Sequence, residues 1–378
     1  MKRFFLIAGE PSGDMLGAAL MAGLKQLEPD VVFSGVGGPL MQAQGLHSLF
    51  PMEELSVMGL AEVLPKYRQL MQRIRQTAAE VVQQSPDALI SIDSPDFCLR
   101  VAKRVKAQSH VKTIHYVAPS VWAWRPGRAA KMARVIDHVL ALLPFEPPLM
   151  QAAGMGCDFV GHPVVAEPQA TPEQAQDFRT RHGLSAAPLL LALPGSRRGE
   201  VERLTPVFGE TLRQLHQKRP DLRVVLPAAS PVATRVRELV ADWPIPPQLL
   251  NAADLPEKRA AFAAADVAVA ASGTVSLELA AAGTPMVIAY KFNWLSWQII
   301  RRMALTDTVT LVNLVSDSRV VPEFLGENCL PDKIASGVLD VLNNPQSQQE
   351  AMALTMERLG RDQEPPGLRA ARAVLKAL

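Results

Sequence analysis

Asp93 closes a short apolar run and is followed by Ser94, Pro95, Asp96 and Phe97. Pro95 fits the first position of a helix, Ser94 the cap before it, and Asp96 the first turn, where acids meet the positive end of the helix dipole. These assignments occupy Asp96 structurally and leave Asp93 without a task. A carboxylate at a strand end can act as a general base; an ordinary strand-end aspartate is the alternative. Both acids stay in the catalytic set, because spacing alone does not choose between them. A two-carboxylate metal site is less attractive, since no third ligand lies nearby in sequence.

Two further segments are suited to an anion. In 194–200, Gly195 and Ser196 can expose backbone N–H groups at a helix start, Arg197 supplies fixed positive charge, and Glu200 follows. In 271–278, Ser272, Gly273 and Thr274 form a small-residue turn before a helix, and Glu278 stands one turn later, where an acid can take ribose hydroxyls. Capped helix starts explain either segment alone; two in one half of the chain say more. A third turn, with Glu10, Ser12 and Gly13, precedes the first helix. It matches neither GxGxxG nor a Walker loop, and a tight structural turn accounts for it equally well. Neither HExxH nor GxSxG occurs, and the histidines lack ligand spacing.

The elements that must position these residues alternate along the chain. Strands are predicted over 3–8, 31–36, 88–92, 112–117, 138–143 and 157–160, then over 189–193, 223–226, 267–271 and 285–289. They are almost continuously apolar, as parallel strands covered on both faces are. Helices are predicted over 14–27, 66–84, 97–108 and 127–134, then over 198–218, 233–241, 257–264, 275–281 and 294–303, with helix from 331 onward. The rhythm pauses at 161–172, where three prolines fall within twelve residues. The fold class is therefore α/β, with two doubly wound parallel-sheet domains facing a cleft. Their extents are 1–165 and 166–355, with a final helical stretch, 356–378, free to pack back on the first domain or exchange with another chain.

The chain has 378 residues, 48% hydrophobic and 20% charged, and a formal net charge of +2. That balance excludes a disordered chain and a general nucleic-acid binder. No apolar run reaches the length of a membrane span, and the opening apolar run is too short for a signal peptide. Three cysteines without ligand spacing point to a reduced, cytosolic compartment. The charge is uneven: 13 Lys and Arg against 5 Asp and Glu lie between residues 60 and 134. There, Val57, Met58, Leu60, Val63, Leu64, Tyr67, Leu70 and Met71 belong to an apolar segment with a helical stripe, flanked by Lys66, Arg68, Arg73 and Arg75. A core-facing stripe and a basic amphipathic surface on anionic lipid are both open.

The motifs AGEPSGD (8–14), MEELSVMGLAEVL (52–64), IDSPDF (92–97), TIHYVAPSVWAWRPGR (113–128), LPFE (143–146), GHP (161–163), LPGSRRGE (193–200) and ASGTVSLE (271–278) span most of the chain. Together they resemble the lipid-A-disaccharide synthases, inverting glycosyltransferases of the GT-B fold. Ser94 stands where alanine is common in that family, and Val312-Asn313 replaces its Pro-Asn. The resemblance implies transfer of a sugar from UDP-2,3-diacylglucosamine to 2,3-diacylglucosamine 1-phosphate (lipid X). The products are the β-1,6-linked disaccharide 1-phosphate and UDP. It implies no cofactor, no metal and no nucleic-acid partner, and work at the anionic cytoplasmic face of the inner membrane. It places the base on Asp93, a catalytic arginine on Arg197, donor-nucleotide positions on Glu278 and Asn313, and an acyl or membrane patch on the stripe. A UDP-N-acetylglucosamine 2-epimerase-like enzyme and a non-catalytic nucleotide- or lipid-binding protein are the rivals.

Overall fold

The computed structural model describes residues 1–55, 60–184, 187–292, 297–298 and 302–378, with backbone alone for 60–66. The chain divides into two compact units, Met1–Ala166 with Leu359–Leu378, and Glu167–Arg358.

The first unit is built on β1 (Arg3–Ala8), β2 (Val32–Val36), β3 (His47–Ser48), β4 (Ala88–Ile92), β5 (Lys112–Tyr116), β6 (His138–Ala141) and β7 (Gly156–Phe159). All pair in parallel in the order β3-β2-β1-β4-β5-β6-β7. Helices α1 (Pro11–Leu27), α2 (Pro39–Ala43), α3 (Leu60–Gln84), α4 (Pro95–Lys106), α5 (Gly127–Met132) and α6 (Pro147–Ala152) connect them. Burial on both sheet faces explains why β1 and β4 carry no alternation: Phe5, Ile7 and Leu89 join one core, Phe4, Leu6 and Ile90 the other.

The second unit repeats the scheme with β8 (Leu189–Leu193), β9 (Arg223–Ala228), β10 (Gln248–Asn251), β11 (Val267–Ala271), β12 (Met286–Tyr290) and β13 (Glu323–Leu325). Their order is β10-β9-β8-β11-β12-β13, again all parallel. Its helices are α7 (Pro172–Arg181), α8 (Arg198–Lys218), α9 (Ala233–Leu239), α10 (Leu255–Ala264), α11 (Val275–Ala282), α12 (Leu311–Ser316), α13 (Pro331–Asn343) and α14 (Gln346–Arg358). The chain then returns to the first unit as α15 (Pro366–Ala377).

Helix α15 lies on α1, where Ala370, Ala371 and Val374 complete the core containing Leu16, Leu20 and Leu24. The approach is close enough that a Cβ on Gly23 would lie 2.7 Å from the Gly367 carbonyl oxygen, and one on Gly367 2.6 Å from that of Ala19. Only glycine permits two backbones that near.

Several boundaries differ from those predicted. Helices α1, α4 and α10 start two or three residues early because each takes a proline into its first turn, where the missing N–H has no helical partner to lose. The helical region expected after 331 consists of three helices. Strands β3, β10 and β13 had no sequence prediction. The helix expected over 294–303 lies largely outside the described residues.

Candidate nucleotide pocket and catalytic turn

In a doubly wound sheet, ligands gather where the strand order reverses, beyond the carboxyl ends of the strands. The reversals here fall between β1 and β4, and between β8 and β11. The four loops singled out by sequence follow these four strands.

In the second unit, the loops after β8 and β11 line one pocket of about 420 Å³. Gly195, Ser196, Arg197, Glu200, Ser272, Gly273, Thr274 and Glu278, separated by up to 83 positions, all contribute to it. Gly195 adopts φ +112°, a left-handed conformation that turns the chain into α8. Arg197 is the extended cap residue of α8, with its side chain 67% exposed. The Glu200 carboxylate folds back on this turn. It accepts from the Ser196 N–H at 3.3 Å and the Arg197 N–H at 3.4 Å, lies 3.6 Å from the Arg197 guanidinium, and accepts from the Tyr290 hydroxyl at 3.3 Å. Glu200 thus braces the anion loop from inside. Thr274 precedes α11 without a side-chain capping bond, and both it and Gly273 are exposed. Fixed cationic charge, helix N–H groups and a carboxylate in one concavity can hold a nucleoside diphosphate.

Lys258, from α10, also lines this pocket and forms an ion pair with Glu278. Sequence reasoning missed it, because its partner lies 20 residues away across two strand–helix connections.

Asn313 is not among the pocket-lining residues. Its amide is buried and donates to the Thr308 hydroxyl at 3.2 Å and the Val321 carbonyl at 3.0 Å, while its oxygen accepts from the Val321 N–H at 3.0 Å. The side chain is spent on tying the strand β13 approach to α12. Glu10, Ser12 and Gly13 belong to the first unit and do not line the pocket either.

In the first unit, Asp93 and Ser94 both take left-handed backbone conformations, φ 51° and 43°. Consecutive non-glycine residues there cost about 1–3 kcal/mol each, strain of the kind that collects at functional sites. Ser94 is the cap residue of α4, as the sequence suggests, but its side chain makes no capping bond. A capping hydroxyl needs an extended backbone; the left-handed turn instead carries Ser94 against Gly9. Asp93 donates its N–H to the Tyr116 carbonyl at 3.0 Å and is half-buried, whereas Asp96 is exposed in the first turn of α4. Burial, followed by the Asp93 charge, pushes the Cys98 thiol up.

Asp14 has a structural role. Buried in α1, its carboxylate accepts from the N–H groups of Gly38, Leu40 and Met41 at 2.9–3.0 Å and so caps α2. Beyond β6, Glu146 is also buried; it accepts from the Trp122 indole at 3.2 Å and the Leu143 N–H at 3.0 Å. Burial raises its pKa to about 7 against the pull of those hydrogen bonds.

The amphipathic stripe divides. Val57 and Met58 lie outside the described residues, as do the side chains of Leu60, Val63 and Leu64. Tyr67 is exposed, Leu70 is half-buried, and Met71 packs on the core with Ile74. Arg73 is held by Glu54 through two 2.8 Å bonds and lies over the Phe50 ring. Among the described residues, no group of three metal-ligating side chains is assembled and no helix is long and apolar enough to cross a membrane.

Two all-parallel α/β units with paired switch-point loops define a protein of GT-B-like architecture. The solved UDP-GlcNAc 2-epimerase from Neisseria meningitidis, bound to UDP-GlcNAc, superposes with a TM-score of 0.65, covering 100% of this chain and 99% of its own at 11% identity. A family model described as lipid-A-disaccharide synthetase matches residues 4–375. The lipid-A-disaccharide synthase of Ruegeria pomeroyi is 64% identical over 384 residues, covering 100% of this chain and 96% of the relative; that of Rhodospirillum centenum is 51% identical over 381, covering 99% and 94%. The chain belongs to the lipid-A-disaccharide synthase family of glycosyltransferases.

Proposed function

We propose that this chain transfers 2,3-diacylglucosamine from its UDP donor to the 6-hydroxyl of 2,3-diacylglucosamine 1-phosphate, inverting the anomeric centre. The observation that carries the reading is the convergence of both anion loops, Arg197 and Glu278 on one pocket in a chain of this family. The pocket takes the UDP moiety: N–H groups at the starts of α8 and α11 and the Arg197 guanidinium meet the diphosphate, and Glu278 meets the ribose.

Asp93 takes the proton of the acceptor hydroxyl as its oxygen attacks the anomeric carbon opposite UDP. The sugar–phosphate bond breaks, and negative charge develops on the departing UDP. Arg197 and the helix N–H groups balance it; charge placed in advance where it develops accelerates such steps. Because this chain's own groups supply that charge, turnover is expected to persist in excess EDTA.

The acyl chains of both sugars require apolar surface, at about 0.8 kcal/mol per buried methylene. We assign that surface to the apolar stripe of the sequence between Val57 and Met71 with the basic residues around it, seating the protein peripherally on the cytoplasmic face of the inner membrane.

The test is UDP release from UDP-2,3-diacylglucosamine with and without 2,3-diacylglucosamine 1-phosphate, in detergent and EDTA. Acceptor-dependent release with a new disaccharide phosphate is expected. Sugar epimerisation without acceptor, or binding without turnover, would overturn the transferase reading. Restoration of activity only on adding Mg²⁺ or Mn²⁺ would overturn its metal independence.

A further inference from the structure

Lys258 belongs to none of the anion loops, yet it lines the pocket they form. It is ion-paired with Glu278, lies 5.2 Å from the centroid of the Phe262 ring, and is only 23% exposed. The charged residues lining the pocket are Arg197, Lys258, Glu200 and Glu278, two of each sign. Glu200 already engages Arg197 and the loop N–H groups. A third carboxylate, Glu167, stands within electrostatic reach of Glu278, Lys258 and Arg259; burial first, then Glu278, raise its pKa, and the two cations oppose them. Without the ammonium, the lining would be net negative and Glu278 unpaired, next to a site meant for a diphosphate. Like charges so placed, in a partly desolvated concavity, repel more strongly than in water.

We propose that Lys258 is a specificity-determining residue: by cancelling Glu278, it lets that carboxylate accept ribose hydroxyls without repelling the diphosphate beside it. The inference rests on reading the pocket as a UDP site. It makes Lys258 the group that preserves the preference for a nucleoside diphosphate over the bare nucleoside, which Arg197 and the helix N–H groups supply.

Calorimetric titration of the full chain with UDP and with uridine separates the two contributions. In Lys258→Met, the ratio of uridine Kd to UDP Kd is expected to fall at least about tenfold, the change that ~1.4 kcal/mol produces. The fall shrinks at high salt, as an electrostatic effect must. Lys258→Arg, which keeps the charge, retains the ratio. Lys258→Met combined with Glu278→Gln recovers it, because the repelling carboxylate is gone. An unchanged ratio in Lys258→Met, or no recovery in the double variant, would overturn the proposal. Wild-type protein that binds neither ligand would instead overturn the UDP reading of the pocket.

Discussion

A β-carbon on Gly9 would lie 2.6 Å from the hydroxyl oxygen of Ser94 and 3.1 Å from its β-carbon. The loop after β1 and the turn carrying Asp93 are therefore in close contact: a side chain at residue 9 requires the Ser94 hydroxyl to move and its β-carbon to give. Gly9→Ala is expected to displace Ser94 and, through the shared turn, Asp93. The expected result is a fall in kcat of about a hundredfold, the cost of a roughly 1 Å misplacement. UDP affinity should stay unchanged, since that pocket lies in the other unit. Steady-state kinetics beside UDP titration checks this; intact kcat would show that the turn tolerates the shift.

Asp93 and Asp96 are separable by substitution. Asp93→Asn is expected to lower kcat by about 10²–10⁴ while leaving UDP binding intact, the signature of a lost general base. Asp96→Asn removes an exposed first-turn acid, so about 0.3–1 kcal/mol of helix stabilisation is expected to go, with turnover little changed. A dead Asp96→Asn beside an active Asp93→Asn would reverse the assignment.

Tyr67 offers a clean probe of the lipid surface because the residue is 50% exposed. Tyr67→Glu is expected to weaken sedimentation with anionic vesicles about fivefold, as a charge near such a surface is worth ~1 kcal/mol. Its urea midpoint should not move. Met71→Glu, which strikes the core cluster, should unfold more easily. Vesicle binding unaffected by Tyr67→Glu would take the lipid contact away from this face.

Glu146 predicts a pH signature. The folded protein keeps its carboxyl proton up to about pH 7, whereas the unfolded chain releases it near 4.5. Between those values the native state binds more protons, so stability falls as pH rises. The cost is absent below about 4.5 and complete above about 7. Glu146→Gln removes it and is expected to gain on the wild type from pH 5 to 8, by up to about 3 kcal/mol. His115 and His162, pushed down to about 4 by burial, destabilise on acidification in both proteins and cancel in the comparison. Urea melts across this range test the sign; a flat difference would refute the buried, protonated carboxyl.

Strands β1, β4, β8 and β11 were legible to the residue because each is an apolar run buried on both faces. They carry the four switch-point loops, so the candidate loops were legible with them. Strands β3, β10 and β13 were not. His47, Gln248 and Glu323 sit at sheet edges, where half-exposure removes the apolar signal. The left-handed pair at Asp93 and Ser94 was equally hidden, since the strand–proline–helix pattern suggests an extended cap. Lys258 and the buried knot of Asn313 depend on partners that only the folded chain brings near.

Helix α15 closes a unit whose first stretch, Met1–Ala166, ends about two hundred positions before it. During synthesis, α1 emerges early with its Ala19 and Gly23 face uncovered, and the segment that packs on it leaves the ribosome only after the whole second unit has been made. The second unit is thus able to finish folding while the first still waits. For that interval the nascent chain presents an apolar helix face, a hazard that chaperone binding would relieve and that truncation before residue 366 would make permanent.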